Sequence, residues 1–276
     1  MRRFRISAIS YLNTAPLMWD FEHGQVGRQF DISYTLPSAC ARDLESGAAD
    51  IGIIPAAAYT LIPGLKILPD VAIASRRPVR SILLVSKVPV EKVRTVAADT
   101  SSITSVALTK VFFEKWLGGG RTFNPMPPQI DKMLAEHDAA LLIGDPALQI
   151  DRSQYFTLDL AEEWIRRTGK PFVFAFWAIR SAALNEASPL LCETFQQSRD
   201  HGLAPANLDQ IAREWAPRVG LSEADVRGYL TENIHYFLDP ACLEGLRLFY
   251  RYAAEIGALP AAPEVAFLSS VKAAIV

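Results

Sequence analysis

An α/β fold of two lobes with a cleft between them is what this sequence predicts, and three observations predict it. A strand–helix–strand pattern occupies residues 31–54. A second set of short apolar runs, alternating with helical spacing, fills 95–143, and a strongly apolar segment from Pro171 to Ile179 follows later. Half of the 276 residues are apolar, enough for a substantial core in one large domain or two lobes.

Arg5-Ile6-Ser7-Ala8-Ile9 reads as a buried strand running into Ser10-Tyr11-Leu12-Asn13-Thr14-Ala15-Pro16-Leu17, which sets hydrogen-bonding side chains where the strand ends. In open α/β sheets that crevice is where ligands bind. Two readings fit Asn13: an amide that faces a ligand, or a turn residue ahead of Pro16 in a first helical turn. Next, Ile32 to Leu36 alternates like a strand. Pro37 and Ser38 open a helix through Glu45 with Ser38 as N-cap, and Gly47 stops it. Leu44, Ala39, Cys40 and Ala48 face inward on this helix, while Arg42, Asp43 and Glu45 face water. Asp50 to Ile54 is a second buried strand and completes a right-handed crossover unit.

Ser81 to Val85 is strand-like and ends at Lys87-Val88-Pro89. The strand Thr95 to Ala98 leads into Asp99-Thr100-Ser101-Ser102-Ile103-Thr104-Ser105. Val106, Leu108, Val111, Phe112 and Trp116 then recur at helical spacing until Gly118-Gly119-Gly120. Five hydroxyls at this helix start, with unpaired N–H groups and the positive end of the dipole, suit a carboxylate or phosphate. A cap alone needs only one hydroxyl, from Ser101 or Ser102. Pro125, Pro127 and Pro128 mark a connection, followed by a helix at Ile130 to Glu136 and a strand at Ala139 to Ile143 closed by Gly144-Asp145. Asp145 there either faces the cleft or caps the next helix. After Ile179 the chain reads as helical, through 190–199, 208–215, 223–236 and 243–256.

This order predicts a discontinuous outer lobe, 1–89 plus 176–276, and an inner lobe, 90–175, with strands near Ser81 to Val85 and Phe172 to Ala178 crossing between them. It is the layout of the type II periplasmic-binding-protein fold, which holds its ligand in the cleft between lobes.

Composition narrows the function. The 28 Lys and Arg nearly cancel the 30 Asp and Glu, so no global field favours nucleic acid or an acidic membrane, and the basic cluster Arg76, Arg77 and Arg80 is short. Cys40, Cys192 and Cys242 are odd in number and far apart, which predicts neither disulfides nor zinc and points to a reducing compartment. The basic start Met1 to Arg5 precedes an apolar stretch broken by Ser7, Ser10 and Asn13, without a small-x-small cleavage site. No uninterrupted apolar run approaches the ~18 residues of a membrane span. A soluble, cytoplasmic protein is expected. His23, His137, His201 and His235 are scattered, so no metal is expected; Glu162 and Glu163, adjacent on a helix, point to different faces. Neither a phosphate-binding glycine loop nor a serine nucleophile elbow occurs. The inventory offers neutral hydrogen-bond donors and little acid–base machinery, and no feature specifies an oligomeric state.

Several stretches, in this order, resemble the chorismate dehydratases of the futalosine route to menaquinone. They are Ser10-Tyr11-Leu12-Asn13-Thr14, Pro78-Val79-Arg80-Ser81-Ile82-Leu83-Leu84, Asp99 to Leu108, Leu141-Leu142-Ile143-Gly144-Asp145-Pro146-Ala147-Leu148, and Glu162-Glu163-Trp164 with Pro171 to Ala175. The resemblance covers most of the chain and is least diagnostic after about Arg180. It implies a hydro-lyase that converts chorismate to 3-[(1-carboxyvinyl)oxy]benzoate and water, with no cofactor. It carries catalysis to Asn13 and Ser81, expected to orient the substrate and stabilise developing charge. Substrate binding is expected at Ser10, Tyr11, Ser38, Ser101, Ser102, Thr104, Ser105, Gly144 and Asp145. The sister dihydroxynaphthoate synthases carry a histidine before an acid where this chain has Gly144-Asp145. A solute-binding protein of a transporter is the alternative from another class, and its export signal or lipid-attachment cysteine is not seen.

Overall fold

The computed structural model describes residues 3–185 and 188–269. Among these residues the strands are β1 (Phe4–Ile9), β2 (Phe30–Thr35), β3 (Ile51–Pro55), β4 (Leu65–Ser75), β5 (Ile82–Ser86), β6 (Thr95–Asp99), β7 (Thr122–Met126), β8 (Ala139–Ile143), β9 (Phe156–Asp159) and β10 (Phe172–Arg180). They form two mixed five-stranded sheets, ordered β2-β1-β3-β10-β4 and β7-β6-β8-β5-β9.

The two sheets repeat one plan. In the first, β1 pairs in parallel with β2 and β3, and β10 runs antiparallel between β3 and β4. In the second, β6 pairs in parallel with β7 and β8, and β5 runs antiparallel between β8 and β9. Each sheet therefore takes one antiparallel strand, the strand laid down just after the chain has passed between lobes. By sheet membership those passages are residues 76–81 and 160–171. β5 joins the second sheet and all of β10 the first, so the sheets divide the chain earlier than residues 89/90 and 175/176. Central β3, β5 and β8 are buried throughout, as their unbroken apolar runs require. Pro125 is tolerated in β7 because that strand is an edge.

The helices are α1 (Trp19–His23), α2 (Pro37–Ser46), α3 (Ile103–Trp116), α4 (Ile130–Glu136), α5 (Asp145–Leu148), α6 (Leu160–Thr168), α7 (Ser188–Gly202), α8 (Pro205–Val219), α9 (Glu223–Gly228) and α10 (Pro240–Glu255). Two expectations need correction. Ser38 does not cap α2: Pro37 takes the first helical position, where a missing N–H costs nothing, so Leu36 is the cap residue and makes no side-chain bond. The helix expected over 223–236 is interrupted, since α9 widens into a π-helical turn, Tyr229–Asn233, and His235 then bridges to Ala74 of β4.

An aromatic cluster joins elements of both lobes. Trp164 of α6 packs edge-on against Trp116 of α3, Phe172 of β10, and Phe249 and Tyr252 of α10. Its indole N–H donates to the Pro171 carbonyl at 3.2 Å, which leaves no unmet polar group in the cluster's centre.

Candidate active site

The loop after β1 folds as a 3-10 turn, Leu12–Met18, with Pro16 inside it, and the Thr14 hydroxyl pins it by donating to the Ile9 carbonyl at 2.5 Å. Tyr11 and Asn13 are thereby held over a cleft between the two sheets. Apolar walls come from Ile9, Ile73, Ile82, Ile143 and Phe174. The polar lining is Tyr11, Asn13, Ser102, Ser105 and the Gly144 backbone, around a cavity of about 40 Å³. That is well below the ~300–1,000 Å³ of open small-molecule sites, so the cleft stands nearly closed. No carboxylate, histidine, lysine or arginine lines it among the described residues.

The hydroxyl-rich start of α3 divides its work. Ser102 caps the helix, accepting the Ser105 N–H at 3.2 Å, and its own hydroxyl donates to Ser105 Oγ at 3.0 Å. Ser105 lines the cleft. Ser101 is turned inward: its N–H and hydroxyl both donate to Asp99 Oδ1, at 2.8 and 2.6 Å. Burial raises the Asp99 carboxyl above the ordinary range and holds the Tyr11 phenol, pushed up to about 12, in its neutral form. Thr104 accepts the Ala57 N–H from the opposite lobe at 3.0 Å.

Two more hydrogen bonds cross the cleft. The Ser38 N–H, released from capping, donates to the Ser101 carbonyl at 3.1 Å. Leu12 N–H donates to Asp145 Oδ1 at 3.1 Å. Asp145 therefore faces the opposite lobe from the start of α5, and burial, partly offset by that bond, lifts its carboxyl to about 6. Gly144 before it has φ 64° and ψ −146°, a glycine conformation, and a Cβ there would lie 2.8 Å from the Tyr11 ring.

Ser81 is fully buried one residue before the cleft-lining Ile82, and its carbonyl accepts the Gly144 N–H at 2.8 Å. Its Oγ accepts from the Tyr229 hydroxyl at 2.8 Å. Asn13 Oδ1 is buried with no partner. The neighbouring Arg80 has φ 66°, and its N–H and that of Val79 donate to Asp159, at 2.6 and 3.1 Å. The same carboxylate caps α6 through Ala161 and Glu162, so one buried acid fixes the backbone into Ser81.

The structure thus brings Tyr11, Asn13, Ser81, Ser101, Ser102, Thr104, Ser105, Gly144 and Asp145 together. Ser10 is exposed at the strand end, its N–H spent on the Thr35 carbonyl at 3.4 Å, and Ser38 contributes its backbone. Sequence reasoning missed Tyr229 and Asp159. Gly228 inside a helical pattern was the one available sign of a break beside Tyr229. One group of possible metal ligands, His235, Asp239 and Cys242, is already paired: Asp239 takes His235 at 2.6 Å and Arg76 at 2.5 Å, and caps the Cys242 N–H at 3.0 Å.

Comparison with known proteins follows the geometry. The family model for menaquinone biosynthesis matches residues 4–255. A chorismate dehydratase of Thermus thermophilus is 29% identical over 281 residues, covering 95% of this chain and 98% of that protein. A crystal structure of an Archaeoglobus fulgidus protein superposes with TM-score 0.74 at 20% identity, covering 93% of this chain and 98% of that one. The periplasmic aliphatic sulphonate binding protein of Escherichia coli superposes with TM-score 0.66 at 16% identity, covering 98% and 94%. The fold is that of the periplasmic binding proteins.

Proposed function

The chain belongs to the menaquinone biosynthesis family, and from that premise we propose that it is a chorismate dehydratase acting in the cleft around Asn13. The enzyme eliminates water from chorismate to give 3-[(1-carboxyvinyl)oxy]benzoate. The proton lost lies on the ring carbon bearing the enolpyruvyl ether, and the electron pair spreads towards the ring carboxylate. Hydroxide then leaves the adjacent carbon, takes up a proton as water, and the ring aromatises. The single observation that carries this reading is a cleft whose polar lining is entirely neutral, set between apolar walls, in a chain of this family.

A neutral lining suits delocalised charge. Oriented amide and hydroxyl groups stabilise charge where it develops without reorganising. Ser102, Ser105 and the first turn of α3 receive a substrate carboxylate, as a helix start favours. Asn13 and Ser81 meet the reacting ring. The base is the substrate's own enolpyruvyl carboxylate, held where proximity offsets its weak basicity. Support for a substrate-borne base is the absence of any ionised side chain from the described lining, while Asp145 is engaged with Leu12 N–H. The buried free thiols of Cys40, Cys192 and Cys242 suit the reducing cytoplasm, where we place the enzyme; no helix among the described residues is long and apolar enough to cross a membrane.

Purified protein incubated with chorismate, without added metal or cofactor, is the test. The reading expects the aromatic product, identified by chromatography and mass. Chorismate bound but recovered unchanged supports a solute-binding protein instead.

A further inference from the structure

Two segments carry the chain between the lobes, residues 76–81 and 160–171, and one carboxylate fastens them together. Asp159 is buried at the end of β9, where it is the register partner of Leu83 in β5. Its Oδ1 accepts the N–H groups of Ala161 and Glu162 at 3.1 and 3.2 Å, which caps α6 and opens the second crossover. The same side chain reaches back into the first crossover. Oδ1 also accepts the Val79 N–H at 3.1 Å, and Oδ2 accepts the Arg80 N–H at 2.6 Å, short as bonds to an ionised acceptor are. A helix cap requires neither of these two bonds.

Arg80 is where the extra reach matters. With φ 66° it is one of two non-glycine residues in the left-handed region among the described residues, Asp70 being the other. A residue with a long side chain adopts that conformation at a cost, and it persists only where its surroundings enforce it. Here the Arg80 N–H is held by Asp159 and its carbonyl accepts from the Arg152 guanidinium at 3.2 Å. Just upstream, the Asn233 amide donates to the Pro78 carbonyl at 2.8 Å.

Ser81 follows directly. Ahead of it the chain is fixed by the Gly144 N–H on its own carbonyl at 2.8 Å and by β5, and its Oγ meets the Tyr229 hydroxyl at 2.8 Å. A fully enclosed residue set between a fixed strand and a forced turn has no freedom of its own. Rotation at Arg80 is the movement that displaces its hydroxyl.

We infer that Asp159 is a positioning residue for the dehydration: by holding Arg80 left-handed it sets the place of the Ser81 hydroxyl. The inference rests on the dehydratase reading and deepens it. Asp159 moves no proton in the reaction and acts only through the backbone of residues 79 and 80.

The test is Asp159→Asn and Arg80→Gly, singly and together, read as kcat and KM for chorismate with the thermal midpoint. Asparagine is a good cap and keeps one oxygen for α6, but it sets an NH2 where the Arg80 N–H needs an acceptor. Asp159→Asn is expected to lower kcat roughly tenfold with KM within about twofold. Glycine takes the left-handed conformation without strain and has no need of the carboxylate. Arg80→Gly alone is therefore expected to keep kcat within about threefold of wild type, and adding it to Asp159→Asn to restore kcat to that level. A carboxylate that serves stability alone lowers the thermal midpoint and leaves kcat unchanged, which overturns the inference. A double variant no faster than Asp159→Asn overturns it too, as does Arg80→Gly alone as slow as Asp159→Asn. If Asp159→Asn does not fold, the double variant decides: kcat near that of Arg80→Gly supports the inference, and a slow or unfolded double variant overturns it. Wild-type protein that leaves chorismate intact overturns the dehydratase reading itself, a different outcome from any of these.

Discussion

Asp145 is the residue whose chemistry is most changed by its surroundings. Burial lifts its carboxyl to about 6, so the folded protein keeps this proton to higher pH than the unfolded chain does. Its contribution to stability is full below about 4, the unfolded value, and is lost as pH rises through the folded one. Asp145→Asn keeps an oxygen for the Leu12 N–H and removes the titration. Its thermal midpoint, relative to wild type, is expected to rise between pH 4 and about 6.5. A constant difference across that window contradicts the assignment. Asn13 and Ser81 were marked in the sequence by the resemblance to the chorismate dehydratases, since their own pattern left Asn13 open between ligand contact and turn. Tyr229 was not, because an aromatic residue in an amphipathic segment is the ordinary material of a core. Only its partners, 148 residues away at Ser81, distinguish it.

At the level of elements, the start of α3 and the turn at Gly144 both belong to the second sheet's side of the cleft and make separable predictions. Ser102→Ala removes the side-chain cap, and urea denaturation is expected to show a loss of about 1 kcal/mol with weakened binding of the aromatic product. Gly144→Ala forces a Cβ into the Tyr11 ring at positive φ and is expected to cost about 1–3 kcal/mol and to abolish product binding measured by calorimetry. Wild-type affinity in Gly144→Ala contradicts the packing of Tyr11 on that turn. The parallel strands β1, β2, β3, β6 and β8 and the helix at 37–46 were legible, because apolar or alternating runs and a Pro-to-Gly frame are local signals. β4, β7 and β9 were missed: β4 carries Pro69 and Asp70, β7 carries Pro125, and β9 is a four-residue edge. Their strand character comes from a neighbouring strand, not from their own pattern.

Across the whole molecule, the lobes are drawn together by Leu12 on Asp145, Ser38 on Ser101 and Ala57 on Thr104, while the aromatic cluster around Trp164 joins them elsewhere. Thr104→Val preserves shape and deletes one of these acceptors. It is expected to weaken product binding by roughly fivefold, about 1 kcal/mol, and to increase the radius of gyration in small-angle scattering. An unchanged radius contradicts a role in closure. None of these cross-lobe bonds was legible, since each joins residues whose sequence neighbours say nothing of the other lobe. The central claim is that a neutral hydrogen-bonding pair, with no protein base, removes water from chorismate in this cleft. The most direct measurement compares wild type with Asn13→Ala for turnover of chorismate and, by calorimetry, for affinity towards the aromatic product. The account predicts kcat lower by roughly 100-fold or more with product affinity within a few-fold. Turnover by Asn13→Ala at the wild-type rate would contradict it.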